Sequence, residues 1–209
     1  MWDQLRENII NILLPRICLG CGKEGRYICD QCSLFLSEAT SIFARGKLEE
    51  VASAWEYEGL IKKIILKIKY EGMFDAIDEL TEKIFERREL YIPENTIITF
   101  VPMFKRKERR RGFNQAELIA RKVAKKTGRE IFPLLEKIKD TPSQTELNKK
   151  ERAKNVRDSF RMKEKINCPK DILIIDDVWT SGATMEECAR ILRIAGAKNI
   201  RGFVLAKTV

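Results

Sequence analysis

The chemistry of this 209-residue chain is concentrated in residues 171–185, DILIIDDVWTSGATM. The apolar run reads as a strand buried on both faces. It ends in two adjacent acids, Asp176 and Asp177, and continues through a small-residue turn into a helix. Open α/β sheets bind ligands at the carboxyl ends of their strands. This turn supplies what a phosphate needs: N–H groups at a helix N-terminus, Gly182 for close approach with Ala183 behind it, and the hydroxyls of Thr180, Ser181 and Thr184. Two carboxylates beside such a cradle would repel the phosphate, so they must face another part of the ligand. Neutral sugar hydroxyls fit, because carboxylates accept their hydrogen bonds without adding like charge to the anion. The combination reads as a site for a ribose 5-phosphate. The plainer alternative is a capped helix following a strand that ends in two solvated aspartates.

Positive charge is the second signal. The chain carries 40 Lys and Arg against 31 Asp and Glu, a net +9. Residues 101–129 alone hold eleven Lys or Arg and only Glu108 and Glu117 as acids, a surplus of nine. Such a concentration suits a phosphate-rich partner, either a small phosphorylated molecule or a nucleic-acid backbone. For Arg121, Lys122, Lys125 and Lys126 a solvated helix face explains the pattern as well. The chain has no histidine, so imidazole bases, Ser-His-Asp hydrolysis and His-ligated zinc are excluded.

Cysteine spacing is the third. Cys18, Cys21, Cys29 and Cys32 form C-x2-C-x7-C-x2-C, in which each pair can present two thiolates to one tetrahedral ion. Structural zinc is the expected occupant, with disulfides the alternative in an oxidising compartment. Four thiolates would fill the shell and leave no position for a catalytic water. Cys168 and Cys188 read as ordinary packed residues, one in a loop and one on a helix.

These groups need a scaffold, and the periodicity outlines one. A helix is expected over residues 3–14, a strand over 53–57, and helices over 59–70 and 75–88. Strands at 96–101, 171–175 and 199–206 then alternate with helices at 114–126 and 183–194, the mark of an α/β parallel sheet flanked by helices. The polar stretch 139–165 reads as a long functional loop or disorder. The expected organisation is an amino-terminal helix and zinc segment at residues 1–50 and an α/β domain at 51–209. No apolar run approaches the roughly 20 residues needed to cross a bilayer. With no secretory signal evident, the expected compartment is the cytoplasm.

Taken together, the strand, acid pair and TSGAT turn resemble the phosphoribosyl-pyrophosphate motif of type I phosphoribosyltransferases. The cysteine pattern, VPMFKRKERRRGFNQAELIARKVA at 101–124, QTELNKKERAKNV with SF at 144–160, and the acid-pair motif together resemble the ComF family of bacterial competence proteins (ComFC and GntX-like). The resemblance implies that Asp176 and Asp177 hold the ribose 2- and 3-hydroxyls and that residues 180–184 hold the 5-phosphate. It further implies a pyrophosphate loop with Lys105, Arg106, Arg109, Arg110 and Arg111, and a mobile flap over 144–160 with Arg152 and Asn155. Magnesium would accompany the pyrophosphate. Two departures stand out: Thr180 replaces an acid that assists purines in related enzymes, and Ser159 stands where a glycine is expected. Trp179 could stack on a base or pack on the neighbouring helix. The expected function is a magnesium-dependent transfer that displaces pyrophosphate by an unidentified nucleophile. The alternative is a non-catalytic adaptor in DNA uptake that engages a competence helicase, another DNA-processing protein or single-stranded DNA.

Overall fold

The computed structural model describes residues 15–41, 46–87, 90–141, 156–164 and 166–208. The expected helix at 3–14, Arg152, Asn155 and most of the expected flap lie outside the described residues.

A parallel sheet forms the centre, in the order β1 (Val51–Glu56), β6 (Asn199–Lys207), β5 (Asp171–Trp179) and β2 (Ile97–Phe100). All three pairings are parallel. An isolated parallel bridge between Ile98 and Ile131 extends the β2 edge. The run at β5 alternates as a doubly covered strand must. Ile172 and Ile174 pack with Met185, Cys188, Ala189 and Leu192 of helix α6 (Ala183–Ile194). Leu173 and Ile175 pack on the opposite face with helices α2 (Gly59–Glu71), α3 (Ala76–Arg87) and α5 (Gln115–Thr127). Helix α2 buries Ile61, Ile64, Ile65 and Ile68 as one stripe, each worth roughly 1.5–3 kcal/mol of apolar burial. It stops at Gly72, whose φ of 73° closes the helix with a bond to the Lys67 carbonyl.

The first correction concerns β5, which runs to Trp179 rather than ending at Ile175, so both acids lie within the strand. The partner strand is the reason: β6 keeps pairing, with Asp176 opposite Val204 and Trp179 opposite Lys207. The end of the apolar run marked the limit of burial and not of hydrogen bonding.

The second concerns the basic stretch. It forms a short helix, α4 (Lys105–Arg111), where a loop was expected. Lys and Arg are good helix formers, and Gly112, at φ 89°, caps the end through the Glu108 carbonyl.

The polar stretch is also partly ordered. Strand β4 (Phe160–Met162) pairs antiparallel with β3 (Leu135–Lys137). Val156 and Phe160 join the α6-side core, and Ser159 is fully buried beside them.

Candidate functional site

A cavity of about 300 Å3 opens at the carboxyl end of the sheet. Asp176 and Asp177 line it, together with Thr180, Gly182, Ala183 and Thr184 from the turn, Lys69 and Tyr70 from α2, Arg111 from α4, Gln115 from α5, and Tyr57. Neighbouring strand residues point to opposite faces, so the two acids enter different surroundings. Asp177 meets the α2 and α5 side. Its Oδ2 lies 2.8 Å from Lys69 Nζ and accepts from Gln115 Nε2 at 3.0 Å. Asp176 accepts the Asp177 backbone N–H at 2.9 Å, and its charge is felt by Lys137 of β3 and Cys188 of α6.

Asp176 is half-buried, and its carboxyl is pushed up to about 7. Burial is the main cause and the Asp177 charge adds to it, against the Asp177 N–H, Lys69 and Lys137. A carboxyl raised by folding contributes stability that is complete below its unfolded value and lost as the pH rises through its folded value. That window runs from 3.8 to about 7. Asp176→Asn cannot ionise, so it is expected to gain stability relative to the parent across this window. Urea midpoints at pH 4.5 and 8 measure it, and a constant difference between the two proteins would refute the assignment.

The turn folds around Gly182. Its φ of 76° is left-handed, and a Cβ there would stand 2.3 Å from the Trp179 ring. Trp179 therefore packs over Gly182 while still lining the cavity. Thr180, Gly182, Ala183 and Thr184 line the cavity. Ser181 is turned into the bend, where its hydroxyl accepts from the Ala183 N–H at 3.4 Å.

Of the five expected pyrophosphate contacts, only Arg111 lines the cavity. Its guanidinium lies 5.8 Å from the centre of the Tyr70 ring and donates to Gln115 Oε1 at 2.7 Å. Arg106 instead pairs with Asp140 at 2.9 Å. Lys105 and Arg109 border a separate surface depression, and Arg110 is exposed. Helical geometry is the reason: a seven-residue helix spreads its side chains around the axis, leaving Lys107 and Arg111, four apart, on the less exposed side. That spacing is the signal that would have singled out Arg111. Sequence reasoning assigned no role to Lys69, Gln115 and Tyr57. The signal for Lys69 was a lysine in the last turn of a strongly amphipathic helix, and its side chain is only 19% exposed.

The cysteines form a second centre, packed against α3. The four sulfurs lie within 4.8 Å of one another, close enough to bind one zinc ion. Cys21 and Cys29 Sγ are 3.6 Å apart and all four thiols are free. A tetrahedral ion with bonds of about 2.3 Å needs sulfurs about 3.8 Å apart, whereas a disulfide needs about 2.05 Å. Helix α1 (Asp30–Ser33) starts at Cys29, whose sulfur accepts from the Cys32 N–H at 3.4 Å. Burial works against the Cys18 thiolate, but the Cys29, Cys21 and Gly20 N–H groups outweigh it and bring the thiol down to about 6. Cys32 is pushed up to about 12 by the neighbouring Cys29 and Cys21 sulfurs. A divalent cation bound here would draw the protons off such crowded sulfurs and hold them as thiolates. Cys188 is fully buried on α6 and Cys168 lies in a loop.

Among the described residues no helix is long and apolar enough to cross a membrane.

Comparison with known proteins agrees with this geometry. Residues 69–208 match the phosphoribosyl transferase domain family. The chain is 29% identical over 179 residues to competence protein ComFC of Streptococcus pneumoniae, covering 86% of this chain and 74% of that one. It is 24% identical over 200 residues to competence protein F of Haemophilus influenzae, covering 91% and 84%. Against the DNA utilization protein YhgH of Salmonella typhi it is 25% identical over 207 residues, covering 92% and 91%. With the acid pair, the turn and the cysteine cluster all on one chain of this length, the protein belongs to the ComF family and carries a phosphoribosyl transferase domain.

Proposed function

We propose that the protein binds phosphoribosyl pyrophosphate at the sheet-end cavity and transfers the phosphoribosyl group to a nucleophile, in a process tied to competence and DNA use as the names of its relatives suggest. The observation that carries this reading is the meeting of acid pair, glycine turn and Arg111 in one cavity. Asp176 and Asp177 accept the ribose hydroxyls, and the turn at 180–184 receives the 5-phosphate. Arg111 faces the pyrophosphate, with Lys105, Arg106, Arg109 and Arg110 adding long-range attraction from α4. The bond from the anomeric carbon to pyrophosphate breaks, the nucleophile's electron pair forms the new bond, and its proton leaves. Cations aimed at the departing charge lower that barrier. The hard carboxylate oxygens of Asp176 and Asp177 suit a magnesium ion arriving with the ligand, where it would neutralise pyrophosphate charge. Because Asp177 Oδ2 already meets Lys69 and Gln115, the site does not present an all-protein cage. Arg152 is assigned to the flap that excludes water.

Calorimetric titration with phosphoribosyl pyrophosphate and magnesium tests the reading. The parent should bind, and Asp176→Asn with Asp177→Asn should weaken binding at least about 100-fold, since two charge-assisted hydrogen-bond acceptors are lost. Equal affinities, or no binding by the parent, would end it.

The adaptor reading has one observation in its favour. The fold brings Tyr70 and Phe74, both largely exposed, beside the basic helix, with Phe74 meeting Phe113 edge-on at 5.8 Å. Cations with aromatic rings suit single-stranded DNA. Oligonucleotide affinity falling steeply between about 50 and 200 mM salt would support it, and a flat response would leave only a protein partner.

A further inference from the structure

The cavity contains an arrangement that ribose and phosphate contacts do not account for. Lys69, in the last turn of α2, and Gln115, in the first turn of α5, both engage the same oxygen, Asp177 Oδ2, at 2.8 and 3.0 Å. Gln115 is buried, and its other amide atom accepts from Arg111 at 2.7 Å. The orientation of this amide is thereby specified from both ends: its oxygen must face the guanidinium and its NH2 the carboxylate. A neutral amide thus bridges a cation and an anion.

We propose that Lys69 and Gln115 are the positioning residues of the acid pair: they hold Asp177 Oδ2 from two sides, and Gln115 keeps the Arg111 guanidinium from closing on that carboxylate. What the held groups are used for rests on the phosphoribosyl-pyrophosphate reading, but the clamp itself does not. Two acids one residue apart at a strand end need a cation, and Lys69 supplies it without occupying the cavity centre with a mobile charge. Its ammonium stays charged: burial opposes this, but Asp177 and then Asp176 outweigh burial. Among the described residues, the other titratable or charged groups around the pair are Tyr57, Tyr70 of α2, Arg111 of α4, Lys137 of β3 and Cys188 of α6. Keeping Arg111 apart from Asp177 leaves its charge for an incoming anion.

Carbon-13 NMR titration of aspartate carboxyls in the full chain tests this without any ligand. Lys69→Met should raise the upper midpoint of the cavity pair by about one unit or more, because an uncompensated carboxylate pair holds a proton more tightly. Lys69→Arg should restore it. In the crystal structure of Gln115→Leu the Arg111 guanidinium should close directly on the Asp177 carboxylate, and the variant should bind magnesium pyrophosphate about tenfold more weakly, the loss expected for one cation withdrawn from an anion. Unmoved midpoints in Lys69→Met, or no rescue by arginine, would overturn the proposal. If Lys69→Met does not fold, Gln115→Leu decides: an Arg111 guanidinium still apart from Asp177 in its crystal structure overturns the proposal, and a direct Arg111–Asp177 pair supports it. Variants that shift beside a parent that does not bind phosphoribosyl pyrophosphate defeat the transferase reading alone, while a binding parent whose variants do not shift defeats the clamp alone.

Discussion

Stripping metal from the cysteine cluster, or replacing Cys18 by serine, is expected to unfold the segment around residues 16–36 while the parallel sheet survives. The segment has little core of its own: Cys18, Ile28, Ser33 and Leu36 are buried there, and the Cys18 thiolate is part of the proposed zinc shell. Its backbone is tied mostly to itself, through bonds such as Cys18 N–H to the Lys23 carbonyl at 2.8 Å and Leu19 N–H to the Tyr27 carbonyl at 3.0 Å. Tight turns of this kind do not persist without a crosslink, and structural zinc binding in small domains supplies on the order of 10 kcal/mol. Without the ion, the four sulfurs within 4.8 Å lose the centre that ties the two cysteine pairs together. Hydrogen exchange is the measurement. Amides of Cys18, Leu19, Cys29 and Cys32 should lose protection by about 1,000-fold on chelation, a change of about 4 kcal/mol, while those of β5 and β6 change far less. Unchanged exchange in protein shown to be metal-free would remove zinc from the account.

Glu79→Ala is expected to destabilise the whole chain by roughly 3 kcal/mol, since it leaves buried donors without an acceptor. Glu79 lies on α3 and is only 7% exposed. Its Oε2 accepts the Tyr27 and Ile28 N–H groups at 2.8 and 3.1 Å, and its Oε1 is 3.8 Å from Arg16 Nη1. One carboxylate thus anchors the cysteine segment to the main domain. Around it, Tyr27 donates its hydroxyl to Asp75, Lys83 pairs with Asp30, and Arg87 donates to the Ser33 carbonyl. Ile28 inserts into the same core as α2 and α3, so the anchor and the apolar contact act together. Glu79→Gln retains one amide oxygen as acceptor and should recover about half of the loss in urea unfolding. Alanine and glutamine variants both matching the parent would show that the segment is held by apolar contact alone.

Much of the scaffold was legible because its signals are local. The stripe of Ile61, Ile64, Ile65 and Ile68, the apolar run before the acids, and the glycine after them each specify one element without reference to the rest. The cysteine spacing was equally self-contained, since each pair lies within one turn. The site was legible where it is contiguous, in residues 176–184. It was not legible where it depends on sequence-distant partners. Lys69 is 108 positions from Asp177 and Gln115 is 62 positions away, and nothing in their own neighbourhoods says which charge they meet. The basic run misled for a related reason. Composition counts charges, but the helix assigns them directions, and among the expected five only Arg111 reaches the cavity.

What the order of residues decided by itself, then, is the kind of chemistry available: carboxylates and hydroxyls at a strand end, thiolates in two pairs, cations in excess and no imidazole. These are matters of side-chain type and short-range spacing, which the covalent chain imposes directly. The tertiary structure decided which cation neutralises which acid, which arginine faces the cavity, and how the cysteine segment is fastened to α3. Those outcomes come from burial and from oppositely charged groups meeting across the fold, and such energies exist only once distant parts of the chain are packed together.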